Sequence, residues 1–333
     1  MNVRPKRGKM NNGFDPATVD KLDQRTRELV NRRNKLLGPA YRLFYDHPVE
    51  FVRASGVLMY DKEGNDYLDA YNNVVSVGHC NSHVNNAIKN QIDILCTHTR
   101  YIQEDILNFA EKLTSYFETD LSNLMFTCTG SEANDLAIRI AKYYTGNQGV
   151  IVTSEAYHGN SELTSSFSPS MGENTRLGTW VRRVPAPDNY RVSAHHFGRW
   201  LALKVSEQID DLRRRGEGIA AFIVDSLFTS DGVFFHEPGL LQPAIDIVRE
   251  AGGIFVADEV QCGFARTGIK MWGYQTQKIT PDIVTMGKPM GNGYPVAGIV
   301  VKPNVVKNFG HDMRYFNTFG GNTVAMAAAN ATL

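Results

Sequence analysis

The chain reads as an α/β protein with a mostly parallel central sheet covered by helices on both faces, and three observations say so. Short β-branched runs alternate with helix-forming stretches from Asn123 onward, which is the βαβ rhythm of a parallel sheet. The runs are continuously apolar rather than alternating, as expected of strands buried on both faces. Several of them end in glycine-rich turns carrying polar residues, at the strand ends where such sheets place their ligands. Length and composition agree: 333 residues, 42% hydrophobic and 21% charged, allow a large core and more than one domain.

Asp15-Pro16 predicts the first helix, with an aspartate N-cap and proline at the first helical position. Val19, Leu22, Leu29, Val30, Leu36 and Leu37 give it an apolar stripe as far as Gly38-Pro39. The stretch from Val57 to Asp69 predicts a hairpin, because Lys62-Glu63-Gly64-Asn65 separates two half-buried runs. A helix-rich segment follows from about Val84 to Phe117. Strands are then expected at 124–127, 149–153 and 221–224, with helices from about Glu132 to Tyr144 and from about Pro238 to Glu250. Two further strands end at Asp258 and just before Lys288. The last ten residues, from Val324, form a helix without a Gly or Asn C-cap, so the sequence is expected to be cut within a helix before a further domain segment.

Composition narrows the function classes. Formal net charge is zero, which gives no bulk attraction to nucleic acid or membrane. Arg4, Lys6, Arg7 and Lys9 make the start basic, but no apolar run follows them, so a soluble, cytoplasmic protein is expected. Cys80, Cys96, Cys128 and Cys262 show neither C-x-x-C spacing nor paired histidines, and they read as reduced thiols rather than as disulfides or a metal site.

Lys288 lies in Met286-Gly287-Lys288-Pro289-Met290-Gly291-Asn292-Gly293, thirty positions after Asp258. An arbitrary loop lysine is solvated. Here three glycines and a proline close by require a tight bend or a close approach. A lysine and an aspartate at two strand ends suit pyridoxal phosphate (PLP): the lysine holds the aldehyde as a Schiff base, and the aspartate keeps the ring nitrogen protonated. The competing reading of Asp258 is a helix N-cap.

Gly130-Ser131 stands between a strand and a helix, where free N–H groups and the helix dipole bind anions, although Ser131 as N-cap with Asn134 at N3 explains the same residues. Tyr157, in Tyr157-His158-Gly159, is a candidate to stack on one face of a flat cofactor, with Val260 on the other; a core tyrosine is the alternative. Gln261 is placed to donate to the cofactor's phenolic oxygen, or else is a surface amide. Thr318, in the turn from Phe316 to Asn322, offers another phosphate contact.

These motifs, in their order and spacing, resemble the class III, fold type I PLP-dependent aminotransferases, from about Val57 to the last residue. Within that family they look most like the branch of alanine-glyoxylate aminotransferase 2-like proteins and ethanolamine-phosphate phospho-lyase. The resemblance implies a large PLP domain, residues 84–333, and a smaller α+β domain to which residues 1–83 contribute an arm and a part. It implies a homodimer in which Thr318 reaches the phosphate of the partner subunit's cofactor. By matching position, Lys288 is the Schiff-base lysine, Asp258 the pyridinium partner, Gln261 the neighbour of the phenolic oxygen, Gly130 and Ser131 the phosphate cup, and Tyr157 the stacking ring. Asp231 stands where aminobutyrate-type members carry a substrate-gating glutamate, and Val74 lies in a stretch expected to touch substrate. Many members have Glu-Pro where this chain has Asp225-Ser226. Transamination between an amine or amino acid donor and a keto acid or aldehyde acceptor is the leading expectation. A PLP-dependent phospho-lyase acting on a phosphorylated amino alcohol, and a noncatalytic scaffold of the same fold, are the alternatives.

Overall fold

The computed structural model describes residues 10, 12–192 and 196–333. Arg4, Lys6, Arg7 and Lys9 lie outside the described residues. The chain forms two compact units. One comprises the chain up to Asn72 together with Gly78–Cys80, and the other comprises Asn73–Val77 and Asn81–Leu333.

In the first unit, the single helix expected after Asp15 is two. A 3₁₀ turn, Pro16–Lys21, is capped by Asp15, and α1 (Gln24–Leu37) starts afresh because Asp23 accepts from the Thr26 amide and restarts the ladder. Strands β1 (Phe51–Ser55), β2 (Leu58–Asp61) and β3 (Asp66–Leu68) form an antiparallel meander. Its second hairpin is the expected one, with Met59 opposite Tyr67. β1 adds a strand to the expected pair.

The second unit runs α2 (Ser82–Ile94), α3 (Glu104–Thr114), β4 (Asn123–Thr127), α4 (Gly130–Thr145), β5 (Gly149–Thr153), the single-turn α5 (Glu162–Ser165), β6 (Val181–Val184), α6 (Phe197–Arg214), β7 (Ile219–Asp225) and α7 (Gln242–Glu250). It continues with β8 (Ile254–Asp258), the single-turn α8 (Gly273–Thr276), β9 (Ile283–Met286), β10 (Ala297–Val301), α9 (Pro303–Asp312) and α10 (Thr323–Thr332). The seven-stranded sheet has the order β4-β10-β9-β8-β7-β5-β6. Four of its six pairings are parallel; β10 runs antiparallel to both neighbours. The expected mostly parallel sheet with helices on both faces is what forms.

β6, α6, β10 and α9 lie beyond the expected pattern. β6 reads Val-Arg-Arg-Val and carries little apolar signal, whereas Leu201, Val205, Ile209 and Leu212 of α6 have clear helical spacing and are buried. Side-chain alternation along the buried strands divides the core in two. Ile151, Phe222, Val224, Phe255 and Val284 pack with α6 and α7 in one cluster. Val150, Val152, Ile223, Val256 and Ile283 pack with α4 and α9 in another. Helices therefore cover both faces of the sheet.

Because β5, β7, β8 and β9 are parallel, their carboxyl ends share one edge, and Asp225 pairs with Asp258 as Asp258 pairs with Thr285. β4 is antiparallel to β10 and so points the same way as β9, delivering Thr127 and the loop before α4 to that edge. No helix among the described residues is long and apolar enough to cross a membrane.

Candidate active site

At this edge a cavity of about 190 Å³ is lined by Gly130, Ser131, Tyr157, Val260, Gln261 and Lys288, with Asn134, His158, Gly159, Asp225 and Asp258 completing it. Seven residues expected from sequence to hold a cofactor, Gly130, Ser131, Tyr157, Asp258, Val260, Gln261 and Lys288, are thus brought together. Thr318, Asp231 and Val74 are not among the lining residues.

The anion cup is the first turn of α4. Its N-cap is Thr129, two residues earlier than the alternative reading of Ser131 as cap: Thr129 Oγ1 accepts from the Glu132 amide, and Glu132 reaches back to the Thr129 amide in a capping box. Gly130 and Ser131 are therefore the first two helical residues, whose N–H groups have no intrahelical acceptor and point out of the helix. Glycine is required at both walls. A Cβ on Gly130 would lie 2.7 Å from Val260 Cγ1, and one on Gly159, where φ is +135°, would lie 2.6 Å from Ser131 Oγ. Gly287 packs beside Gly130 and Val260, which seats the lysine loop against the cup.

Asp258 sits at the buried end of β8, 4% exposed. Its Oδ2 meets His158 Nδ1 at 2.7 Å and accepts from Asn134 Nδ2 at 2.8 Å; its Oδ1 accepts from the Val260 amide at 3.0 Å. Burial alone would raise this carboxyl, but His158, the Val260 amide and Asn134 outweigh burial and hold it below its ordinary value. A buried anion is therefore maintained here. The Asn134 orientation is itself set, since its Oδ1 accepts from Thr285 Oγ1 at 2.7 Å and its Nδ2 also donates to the His158 carbonyl. Asn134, His158 and Thr285 are hydrogen-bonded around Asp258, and the sequence reading gave them no part in the site. Asn134 is not at N3 of α4, and its burial among Ala133, Leu136 and Ala137 on an apolar helix face is the signal that marks it. His158 Nε2 is buried without a partner.

Lys288 follows β9 with φ at +26°, a left-handed conformation that a lysine adopts only when its surroundings hold it there. Burial pushes its ammonium below the ordinary lysine range, against the pull of Asp258 and Asp225. A lowered lysine pKa favours the neutral, nucleophilic amine. Burial, and then the charge of Asp258, push the Tyr157 hydroxyl above its ordinary value.

Gln261 gives Nε2 to Thr229 Oγ1 at 2.7 Å and takes Asn73 Nδ2 on Oε1 at 3.0 Å. Glu259, fully buried, accepts from Ser226 Oγ at 2.6 Å and from the Gly273 and Tyr274 amides at 2.6 and 2.8 Å, tying the loop after β8 to α8. Asp231 accepts from Thr153 Oγ1 at 2.6 Å and from the Glu155 amide at 2.9 Å. Thr318 lies in the turn before α10.

The donor set fits a group with three properties: an anionic tail for the Gly130-Ser131 amides, a cationic ring nitrogen for Asp258, and a carbonyl for Lys288. The glycine walls and Val260 leave a narrow slot suited to a flat ring. The class III aminotransferase model matches residues 44–333. The chain is 38% identical over 318 residues to a Drosophila melanogaster protein called alanine-glyoxylate aminotransferase 2-like, covering 92% of this chain and 64% of that one. It is 35% identical to ethanolamine-phosphate phospho-lyase homolog 1 of Caenorhabditis elegans, covering 94% and 71%. Among solved structures it is similar to a phospholyase from Arthrobacter in complex with phosphoethanolamine, with 40% identity, 91% and 72% coverage and a TM-score of 0.87. The chain spans about two thirds of the length of such relatives. It belongs to the class III aminotransferases and has the fold type I architecture.

Proposed function

We propose that this chain forms the cofactor-binding body of a PLP-dependent enzyme that acts on primary amines, with Lys288 as the covalent anchor. The observation that carries this reading is the convergence of a lysine of lowered pKa and a buried, hydrogen-bonded aspartate anion on one glycine-walled slot. PLP, when bound, supplies an electron sink for the charge left on the carbon next to the amine.

The chain's own residues supply the rest. The Gly130 and Ser131 amides hold the phosphate at the head of α4. Asp258, kept ionised by His158 and Asn134, holds the proton on the ring nitrogen. Val260 and Tyr157 close the two faces of the ring, and Gln261 donates to its phenolic oxygen. With the cofactor bound, the Lys288 amine would move the proton at the substrate carbon. Thr318 serves the phosphate of the partner subunit's cofactor in a homodimer.

Transamination, from an amine or amino acid to a keto acid or aldehyde, is the reaction the family name carries. Phosphate elimination from a phosphorylated amino alcohol is favoured by a specific observation. The phospholyase bound to phosphoethanolamine matches this chain at 40% identity over 91% of its length. Phosphorylated amino alcohols are therefore the first substrate class to test. With phosphoethanolamine alone, elimination releases inorganic phosphate, ammonia and an aldehyde in equal amounts. Amine transfer that depends on an added keto acid, with the phosphate ester intact, assigns transamination. Neither activity in protein that carries PLP on Lys288 leaves the noncatalytic scaffold.

A further inference from the structure

Gln261 lines the cleft, but its orientation is decided behind it. Asp225, at the end of β7, is ringed by donors: the Leu227 amide at 3.0 Å and Cys262 Sγ at 3.4 Å on Oδ1, and the Thr229 amide at 3.3 Å and Thr229 hydroxyl on Oδ2. Burial and the neighbouring Asp258 push this carboxyl above its ordinary value, against the pull of these donors; the two backbone amides can only donate, one to each oxygen, so Asp225 is read as the acceptor. The Thr229 hydroxyl hydrogen is committed to Asp225, and a lone pair of Oγ1 is left facing Gln261. Only the amino end of the Gln261 amide suits that lone pair, and Nε2 sits 2.7 Å from it. The carbonyl end is then left for Asn73, whose Nδ2 lies 3.0 Å away. Each link takes its polarity from the acceptor at the end of the chain.

We propose that Asp225 and Thr229 are positioning residues that fix Gln261 as a hydrogen-bond donor toward the cleft. An amide nitrogen has two hydrogens, so the one not given to Thr229 serves an acceptor in the cleft. The inference rests on the proposed function in taking that acceptor to be the PLP phenolic oxygen. It also gives the shorter acid at 225 a role, since Thr229 bridges the gap between Asp225 and Gln261.

The test uses the protein reconstituted with PLP and reads two quantities: PLP affinity by titration, and the pH midpoint of the bound-PLP absorbance. Thr229→Val removes the hydroxyl while keeping the shape. It is expected to weaken PLP binding roughly threefold to tenfold and to move the midpoint to higher pH, because an oxygen that loses its donor holds a proton more tightly. Thr229→Ser keeps the hydroxyl and is expected to match the unmutated protein. In a Gln261→Ala background, Thr229→Val is expected to change neither quantity further. Unchanged affinity and midpoint in Thr229→Val, equal losses in the Ser and Val variants, or a full effect in the Gln261→Ala background overturns the positioning role. Absence of PLP absorbance from the unmutated protein overturns the proposed function instead, and this inference falls with it.

Discussion

Gly130→Ala isolates the packing of the anion cup. The new Cβ would stand 2.7 and 2.9 Å from the two Val260 methyls, well inside the ~3.5–4.0 Å of ordinary carbon contacts. Gly130 is the first residue of α4, so alanine gains helix propensity, by at most about 1 kcal/mol. Overpacking of a fitted site costs about 1–3 kcal/mol, and Val260 has little room to yield. It is 8% exposed and its amide is tied to Asp258. The clash therefore wins, with a net loss of about 1–2 kcal/mol. The displaced Val260 also disturbs the Asp258 hydrogen bond, so PLP binding falls with stability. Denaturant unfolding and PLP titration measure the two effects. Val260→Ala makes room, and in the double variant the substitutions are expected to couple favourably by at least about 1 kcal/mol. A Gly130→Ala protein as stable as the unmutated one, or additive effects in the double variant, would refute the claim that these two residues meet.

Other outcomes follow from the buried carboxylates. Asp258→Asn keeps the shape but removes the anion, so turnover should fall on the order of a hundredfold while PLP still binds; unchanged kcat counts against the pyridinium role. Because the native pKa of Asp258 is lowered, its contribution to stability is present above its ordinary value of 3.8 and is lost as pH falls through the lower native value. Acid unfolding of the Asn variant should therefore be less steep in that range. Glu259 has the opposite sign. Burial raises it from 4.5 to about 7, so its favourable contribution is largest below pH 4.5, declines as pH rises and is gone above about pH 7, a span worth ~3 kcal/mol. The stability difference between the unmutated protein and Glu259→Gln, followed by thermal unfolding from pH 4.5 to 7, should shrink as pH rises; a constant difference excludes a titrating Glu259.

The legible part of the molecule is the part made by local chemistry. Buried strands announced themselves as β-branched runs, and their ends carried the glycine turns, Asp258 and Lys288. Part of what escaped was made by distant contacts or weak local signals, although α6 and β10 carry clear patterns of their own. β6, Val-Arg-Arg-Val, is a strand because β5 pairs with it, not because of its own pattern. The break at Leu22-Asp23 comes from a cap that competes with a continuous apolar stripe. At the site, seven residues that line the cavity could be read from motif and spacing. Asn134, Thr285 and Thr229 act on other side chains up to 151 positions away, as in the bond from Thr285 to Asn134. No one-dimensional spacing encodes such a bond. Asp231 also accepts from Thr153 and the Glu155 amide, contacts that its place in a motif does not indicate.

The central claim is that Lys288 anchors PLP, and borohydride reduction of the PLP-loaded protein followed by peptide mass mapping tests it most directly. The account predicts a single reduced pyridoxyl adduct on the peptide that contains Lys288, and none in Lys288→Ala. An adduct on a different lysine, or equal labelling of the Lys288→Ala protein, would contradict it.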